Sequence, residues 1–270
     1  MTANTLASTA LQFEVSDQVA TLTFNSPAKR NALEMAMRDG LVVALRHIQQ
    51  NKDIRAVVLT GAGGHFCAGG DLKNMAEVQH ENGAWLSRMQ ILHEWVQILL
   101  TLDRPVIAAV DGAAAGAGFS LALAADFVLA TPRAWFNMSF LKVGLVPDVG
   151  ALYTLPRVVG VQRAKEIMLS ARDIDAQEAL RLGIVMELHA PEQLLTRAHA
   201  MARSFVGASP TAVSLIKRSL GSALGGGLQD MLTAEAQAQA LAAGTAEHRE
   251  AVNRFLSKQP LAFAWPAHKD

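Results

Sequence analysis

Two short turns of small residues are the first places where the backbone itself could do chemistry. Ala68-Gly-Gly-Asp71 follows one strand-like apolar run, and Ala115-Gly-Ala-Gly118 follows another. Such turns let a ligand approach the backbone, and each leads into a helix-like segment whose first N–H groups are unpaired. If the two turns face each other, the N–H groups of Gly70 and Ala117 can bind a carbonyl oxygen as it becomes negative, which is the function of an oxyanion hole. Close packing of small residues explains the same spacing, and this alternative stays open.

Asp148 is the candidate acid–base residue. It lies in the segment Gly-Leu-Val-Pro-Asp-Val-Gly, with Phe140, Val143 and Val146 before it. A site lined by these apolar side chains would desolvate the carboxylate, raise its pKa and strengthen it as a base. An aspartate that follows a proline and precedes a helical pattern can also be a helix N-cap. From these residues alone, the role of helix N-cap is favoured over that of a base.

Other catalytic and nucleotide-binding motifs are incomplete. Neither glycine-rich turn carries the third glycine of a dinucleotide fingerprint, and Gly64 and Gly69 have phosphate-loop spacing without the Lys-Ser/Thr that must follow. No HExxH, paired His cluster or GxSxG occurs. Ser214-Leu-Ile-Lys217 matches SxxK, but its companion motifs are missing, so an ordinary helix face is expected. The sequence predicts no metal site.

The composition is that of a globular chain without electrostatic bias. Of 270 residues, 51% are hydrophobic and 18% charged, and 24 Lys plus Arg balance 24 Asp plus Glu. A chain this apolar buries a core instead of staying disordered, and its extra apolar surface suggests an oligomer. A net charge of zero provides no positive field for a polyanion, so nucleic acid is not an expected partner.

The sequence also argues against membrane insertion and secretion. The longest weakly polar stretch, 105–130, contains Asp111 and Asp126, unlike the roughly 20 clean apolar residues of a membrane span. No basic residue precedes Lys29, so a signal or transit peptide is not expected. Cys67 is the only cysteine, which excludes an internal disulfide. A cytoplasmic protein with no membrane partner is predicted.

Strands and helices alternate through the part of the chain that must position these turns. Patterns of period two and short apolar runs predict strands at 11–15, 19–24, 54–59, 106–110 and 184–188. Helical spacing predicts helices at 34–50 and 85–102 and helical structure from 164 onward, with pieces at 212–220, 228–243 and 247–257. The two strand-to-turn segments around Gly70 and Ala117 form a weak internal repeat, and three consecutive glycines at 225–227 divide the helical tail.

Two long motifs, joined by shorter ones, run through nearly the whole chain. The first is His-Phe-Cys-Ala-Gly-Gly-Asp-Leu at 65–72, and the second is Pro-Val-Ile-Ala-Ala-Val-Asp-Gly-Ala-Ala-Ala-Gly-Ala-Gly at 105–118. Shorter matches follow at 31–33, 143–150, 155–160 and 254–258. Together they resemble the signature of the crotonase (enoyl-CoA hydratase/isomerase) superfamily. The resemblance implies an α/β crotonase fold, with a spiral core of strand-strand-helix units over 1–205 and a C-terminal helical oligomerisation region over 206–270. It also implies acyl-CoA thioester substrates and a homotrimer or dimer of trimers.

The resemblance assigns roles to individual positions. The family's two oxyanion amides fall on Gly70 and Ala117, and alanine can serve at the second because only its N–H is needed. Contacts to the acyl-CoA substrate fall on the following residues, of which the last two would reach in from a neighbouring subunit: Lys29, Arg30, Ala32, Ala68, Asp71, Leu72, Gly116, Ser139, Phe140, Val143, Phe255 and Lys258. Lys29, Arg30 and Lys258 would supply the positive charge that the phosphates of coenzyme A require. No metal, flavin or nicotinamide cofactor is implied, since coenzyme A is part of the substrate.

Departures from the family pattern determine the chemistry that we expect. Hydratases of the family carry one Glu just after the second turn and another about twenty residues later, where this chain has Ser120 and Phe140. Neither residue titrates near neutral pH, so neither replaces an acid that activates water. Asp148 matches an Asp used by non-hydratase branches, and the isomerases of phenylacetate degradation look closest. The resemblance therefore favours enoyl-CoA double-bond isomerisation with Asp148 as the base, and reverses the preference for a cap.

Three alternatives remain open at this stage. An enoyl-CoA hydratase is the first. A 4-chlorobenzoyl-CoA dehalogenase would use an Asp at position 148 as nucleophile together with His93, although Phe140 replaces that branch's Trp and an ordinary helix histidine is the simpler interpretation. A catalytically silent acyl-CoA binder is the third. The acyl group would be selected by the loop from Met75 to Gly83, whose shape the sequence does not specify.

Overall fold

The secondary structure follows the alternation of strands and helices expected from the sequence. The structure is a computed structural model that describes residues 9–71 and 82–267. Its strands are β1 (Leu11–Ser16), β2 (Val19–Phe24), β3 (Ala56–Gly61), β4 (Val106–Val110), β5 (Ala113–Ala115), β6 (Phe127–Ala130), β7 (Trp135–Asn137), β8 (Asp173–Asp175) and β9 (Glu187–Leu188). Its helices are α1 (Met35–Gln50), α2 (Asn82–Thr101), α3 (Ala117–Leu123), α4 (Ala151–Ser170), α5 (Ala176–Arg181), α6 (Pro191–Ser204), α7 (Pro210–Ala223), α8 (Leu228–Ala243) and α9 (Ala246–Leu256). Short 3-10 turns cover Pro27–Lys29, Ser139–Val143 and Phe205–Gly207.

Successive strands are shared between two sheets. The larger sheet has the order β1-β2-β3-β4-β6-β9 and the smaller has the order β5-β7-β8. The pair β4 and β5 sends one strand to each sheet, and the pair β6 and β7 does the same. An isolated parallel bridge between Cys67 and Ala114 brings the segment after β3 beside β5. Each turn of the chain thus contributes to both layers before a helix returns, which is the strand-strand-helix spiral that was expected.

The central strands of the larger sheet are buried on both faces. On one face its side chains pack with apolar residues of α1 and α2, including Leu41, Leu45 and Trp95. On the other face Val58 and Ile107 pack with residues of α6. Parallel strands covered on both sides consist of continuous apolar residues, which is why the segments around β3 and β4 could be recognised as buried strands.

Most predicted elements are confirmed, and one strand was placed wrongly. Of the segment 184–188 only Glu187–Leu188 forms a strand. Ile184 and Val185 are buried in the turn after α5, where both N–H groups donate to the carbonyl oxygen of Ala179. Their apolar character reflects burial in a turn. Helical structure also begins earlier than expected, at Ala151, with a break at Gly160 (φ 77°).

Four strands, β5 to β8, are absent from the prediction. The strand β8 shows one reason. It pairs antiparallel with β7, and Ile174 is its one buried residue, between two exposed aspartates. Three residues with two acids give no strand signal, because aspartate is depleted in strands. The strand forms through pairing at the edge of the smaller sheet.

The C-terminal helices leave large apolar side chains exposed. None of the residues of α7, α8 or α9 is buried within the chain. The glycines at 225–227 separate α7 from α8 as predicted, and the expected division between residues 205 and 206 falls in the 3-10 turn before α7. Beyond α9, Phe263 and Trp265 pack against Phe205, with ring centroids 5.8 and 5.9 Å away. None of the helices in the described ranges is long and apolar enough to cross a membrane.

Candidate active site

The two small-residue turns face each other. Gly69 has φ +97°, and a Cβ added there would lie 2.7 Å from the carbonyl oxygen of Ala115 and 3.5 Å from the nitrogen of Ala117. Gly116 has φ +52°, and its added Cβ would lie 3.2 Å from Oγ of Ser139. Gly69 combines a positive φ with close backbone approach, and Gly116 has a positive φ beside the Ser139 side chain, so both positions favour glycine. The expectation that the turns meet is confirmed.

The N–H groups of Gly70 and Ala117 border the same cavity. Ala117 is the first residue of α3, where an amide has no partner within its helix. In the described part of the chain no backbone or side-chain acceptor takes either N–H group. Two unpaired donors on adjoining turns, at the edge of one cavity, have the arrangement that a developing oxyanion requires.

Asn31 fastens the first turn to the segment before α1. Its side-chain Nδ2 donates to the carbonyl oxygens of Ala62, at 2.8 Å, and His65, at 2.6 Å. The N–H of Leu33 then donates to the carbonyl oxygen of Gly69 at 2.7 Å. Because Asn31 is fully buried, these bonds are shielded from water. They hold the backbone beside Gly70 in place before any ligand arrives.

A cavity of about 290 Å³ lies beside the two amides. Its walls come from both turns, from α1 and α2, and from the irregular segment before α4. The described lining residues are Arg38, Ala68, Gly69, Gly70, Trp85, Arg88, Met89, Leu92, Gly116, Ala117, Ser139, Phe140, Lys142, Val143, Leu145 and Asp148.

Asp148 lines this cavity with a largely buried carboxylate, one oxygen of which has no hydrogen-bond partner among the described residues. The N-cap of α4 is Gly150, and no side chain caps that helix, so the alternative role of Asp148 as an N-cap is wrong. Its Oδ1 is buried without a hydrogen-bond partner among the described residues. Burial raises the pKa of the carboxyl to about 6, although the nearby positive charge of Arg38 acts in the opposite direction. The group can therefore take up and release a proton near neutral pH.

The apolar surroundings of Asp148 differ in part from the expected set. Phe140 is 8% exposed and lines the cavity, and Val143 lies at its edge. Val146 is 75% exposed and faces away, so its predicted part in desolvating Asp148 is wrong. Met89 and Leu92 of α2 lie on the cavity wall. A helix distant in sequence thus supplies surface that the local segment does not.

Ser120 and His93 lie outside the cavity wall. Ser120 is fully buried in α3, and its hydroxyl donates to the carbonyl oxygen of Gly116 at 3.3 Å. His93 is exposed and borders a separate cavity with Gly150 and Tyr153. The imidazole is therefore absent from the lining of the cavity that holds the two amides, although it is close enough to Asp148 to act on that carboxyl electrostatically.

The residues expected to contact coenzyme A are spread over two regions. Exposed Lys29 and Arg30 lie in the turn before α1, where Nζ of Lys29 forms ion pairs with Asp71 at 3.2 Å and Glu34 at 3.4 Å. Ala32 is buried beside them, and the N–H of Ala68 donates to the carbonyl oxygen of Arg30 at 2.9 Å. These five positions adjoin the first turn, as expected for one binding surface.

Four further expected contacts, Gly116, Ser139, Phe140 and Val143, line the cavity, whereas the two C-terminal ones are not brought to it by the chain alone. Phe255 is 71% exposed in α9, and Lys258 follows that helix with φ 56°. Their predicted action from a neighbouring subunit stays a prediction. Leu72 lies outside the described residues, as do residues 75–81 of the loop expected to select the acyl group.

Arg38 and Arg88 are cavity residues that the sequence reasoning missed. Arg38 is 8% exposed, and its Nε donates to the carbonyl oxygen of Leu33 at 3.1 Å. A signal was present, because Arg38 is spaced three and seven residues before Leu41 and Leu45 and so shares their buried helical stripe. A charge on such a stripe indicates a specific partner or a ligand.

Cys67 is not a candidate nucleophile. It is fully buried, and burial raises the pKa of its thiol to about 12. The thiol stays protonated at neutral pH, and the thiolate is the reactive form. Within residues 9–71 and 82–267 no group of three or more His, Cys, Asp or Glu side chains has a geometry that could hold a metal ion.

Comparisons with known proteins agree with this architecture. The sequence model of the family Enoyl-CoA hydratase/isomerase matches residues 14–265. The 1,2-epoxyphenylacetyl-CoA isomerase of Escherichia coli K12 is 36% identical over 91% of this chain and 94% of its own length. A protein of Rhodobacter capsulatus named "Probable enoyl-CoA hydratase" is 37% identical over 94% and 97%. A crystal structure of an enoyl-CoA hydratase/isomerase from Cupriavidus metallidurans CH34 superimposes with a TM-score of 0.93 at 45% identity and covers 97% of this chain and 99% of that one. The expected crotonase fold is confirmed.

Proposed function

The chain belongs to the enoyl-CoA hydratase/isomerase family of enzymes, and we propose that it moves the double bond of an enoyl-CoA thioester with Asp148 as its base. The observation that carries this proposal is the state of Asp148. Of the described residues that line the cavity it is the one carboxylate, and its Oδ1 is buried and unpaired. A carboxylate in that state is a stronger base than one in water.

The proposed reaction begins with the thioester carbonyl oxygen on the amides of Gly70 and Ala117. The carboxylate of Asp148 takes a proton from C2 of a 3-enoyl thioester, and the electrons of that C–H bond move toward the carbonyl oxygen. The two N–H groups stabilise the resulting dienolate. The carboxyl then returns the proton to C4, so that the double bond lies between C2 and C3. The proton and the electron pair are both conserved, and the reaction requires no redox cofactor or metal.

A cavity whose described lining includes one carboxylate suits isomerisation better than hydration. Adding water across the double bond has two requirements. One group must take a proton from the attacking water, and a proton must be delivered to C2. Phe140 lines the cavity where the resemblance would place a hydratase acid, and Ser120 has its hydroxyl committed to Gly116. One carboxylate suffices for a shift, because the same proton is removed and returned. A relative named as an isomerase supports this choice, whereas another named as a hydratase makes hydration the alternative to test.

Deuterium exchange tests the proposal directly. Wild type and Asp148→Asn are incubated in D₂O with 2-enoyl-, 3-enoyl- and dienoyl-CoA thioesters, and mass spectrometry reads both deuterium uptake and added water. Exchange or double-bond migration that is lost in the variant is the expected result. Efficient hydration that survives the substitution would contradict the mechanism. Tight binding without exchange in either protein would instead favour a silent acyl-CoA binder.

We propose that the active form is an oligomer, a homotrimer or a dimer of trimers. The helices α7 to α9 expose large apolar residues, among them Leu220 (68%), Leu228 (78%) and Leu256 (73%). Burying such side chains stabilises association by about 25 cal/mol for each Å² removed from water. A neighbouring subunit could then bring Phe255 and Lys258 to the coenzyme A surface near Lys29. Sedimentation equilibrium of the purified protein tests the assembly, and a monomer at all concentrations would contradict it.

A further inference from the structure

Arg38 presents a buried positive charge to the acyl cavity. The residue is 8% exposed and lies on the cavity wall. Among the described residues its only side-chain hydrogen bond is the one from Nε to the carbonyl oxygen of Leu33. The Nη1 and Nη2 groups therefore have no protein acceptor there. Arginine keeps its charge in proteins, so the cavity contains a cation whose Nη1 and Nη2 donors have no acceptor among the described residues and can bind a ligand.

The orientation of this guanidinium is coupled to the oxyanion amides through two hydrogen bonds. Its Nε is held by the carbonyl oxygen of Leu33 at 3.1 Å, and the N–H of Leu33 donates to the carbonyl oxygen of Gly69 at 2.7 Å. Gly69 adjoins Gly70 in the first turn. The charge is thus fixed relative to the point where the thioester carbonyl would bind, as a specificity-determining residue must be.

Positive charge exceeds negative charge on the cavity wall. The described wall contains Arg38, Arg88 and Lys142 against the single carboxylate of Asp148. Arg88 is half-buried and its guanidinium lies 5.8 Å from the ring centre of Trp85. Arg38 and Asp148 attract each other electrostatically, but no hydrogen bond joins their side chains within the described residues. A neutral acyl chain that filled the cavity would displace water from Arg38 and leave its Nη1 and Nη2 donors without a hydrogen-bond acceptor among the described residues, which is costly.

We propose that Arg38 selects an acyl group that carries an anionic oxygen, with a carboxylate as the simplest case. This inference rests on the proposed function, because it names the substrate class of the same site. A carboxylate can accept two parallel hydrogen bonds from the guanidinium fork, and the fork is already oriented by Leu33. Such an acyl group replaces the water lost from Arg38 on binding, whereas a hydrocarbon chain of equal length cannot.

Two saturated thioesters separate this inference from the reaction itself. Glutaryl-CoA and pentanoyl-CoA have the same acyl chain length and differ by a terminal carboxylate in place of a methyl group. Neither contains a double bond, so calorimetric titration measures binding alone, and the coenzyme A portion is common to both. The proteins are wild type, Arg38→Met, Arg38→Lys and Arg46→Met. Arg46 is the matched control, since it lies in the same helix and forms an exposed ion pair with Glu94.

Wild type and Arg46→Met are expected to bind glutaryl-CoA about 10- to 100-fold more tightly than pentanoyl-CoA, the range of one charge-assisted hydrogen-bonded contact. Arg38→Met should lose this preference by weakening glutaryl-CoA binding alone. Arg38→Lys keeps the positive charge but lacks the two parallel donors of the guanidinium, so it should retain part of the preference for glutaryl-CoA. If Arg38→Met fails to fold, the affinities of Arg38→Lys test the inference. Equal affinity of wild type for both thioesters, or equal weakening of both by Arg38→Met, would overturn the inference.

Failure of the proposed function would look different. Wild type would then prefer glutaryl-CoA but exchange no deuterium into enoyl-CoA thioesters. Exchange into those thioesters without any preference for glutaryl-CoA would overturn the inference about Arg38 and leave the isomerase proposal standing.

Discussion

Asp148→Asn should make the protein more stable while it abolishes the reaction. The substitution keeps the shape of the side chain and removes its charge. In the wild type, burial raises the pKa of this carboxyl from 3.8 to about 6. Above pH 6 the folded protein must therefore hold an ionised group that the unfolded chain holds more easily in water.

The size of the effect follows from that difference. A change of one pKa unit corresponds to about 1.4 kcal/mol, so a rise of roughly two units costs the folded wild type about 3 kcal/mol when the group is ionised. Between pH 4 and 6 the folded state binds a proton that the unfolded state does not, so wild-type stability falls as pH rises. Below pH 4 both states are protonated and the cost vanishes. The variant should gain at most about 3 kcal/mol near pH 8 and almost nothing near pH 4.

Urea unfolding at pH 4, 6 and 8 measures this gain, and deuterium exchange on the same preparations measures the reaction. Exchange by the variant should fall about 100- to 10,000-fold, the range of a lost general base. In the wild type, exchange should decline about tenfold per unit as pH falls below 6, because the base must be ionised. Asp53→Asn is the matched control, since Asp53 is an exposed aspartate before β3. Its substitution should alter neither quantity.

Two results would refute this reasoning about Asp148. A variant less stable than the wild type at pH 8 would mean that the carboxylate makes favourable contacts and is not held at a cost. Undiminished exchange in a variant of higher stability would separate the strained carboxylate from the chemistry, and another base would be required.

Three further substitutions test other parts of the structure. Ala117→Pro removes one N–H donor at the first position of α3, where proline is tolerated, so exchange should fall about 100- to 1000-fold with folding retained by circular dichroism; an active variant would contradict the oxyanion role. Gly118→Ala should lower the melting temperature, because its Cβ would lie 2.0 Å from the carbonyl oxygen of Cys67, whereas Gly221→Ala has no atom within 4 Å and should not. Glu187→Gln should lower the free energy of unfolding by about 1–3 kcal/mol in urea, because it leaves half-buried Arg197 without the charged carboxylate 2.8 Å away; an unchanged value would show that the pair contributes nothing.

Local sequence signals were sufficient for part of the scaffold. The runs around β3 and β4 are continuous and apolar because both faces of the larger sheet are covered, and glycines at the two turns mark positions with positive φ or close backbone approach. Both signals arise from the covalent chain and its immediate burial. They predicted strands β1 to β4, the long helices, the family resemblance and the turns that carry Gly70 and Ala117, but not strands β5 to β8.

Irregular segments were harder to interpret because they have no period. Nothing in the order of residues 144–150 says that Asp148 faces inward while Val146 is 75% exposed. The direction of each side chain depends on packing against α2, which lies some fifty residues earlier in the chain. The same packing leaves His93 on the outside of α2 and places Met89 and Leu92 on the cavity wall.

The sequence by itself determined the spiral of strands and helices, the glycines that allow two turns to meet, and the presence of one carboxylate near them. Tertiary structure decided what those parts face. Helical spacing put Arg38 on a buried stripe of α1, but only the folded chain shows that its charge borders the same cavity as Asp148. The physical reason is range: backbone conformation and burial are set by neighbouring residues, whereas the electrostatics of a site are set by groups that the fold brings together.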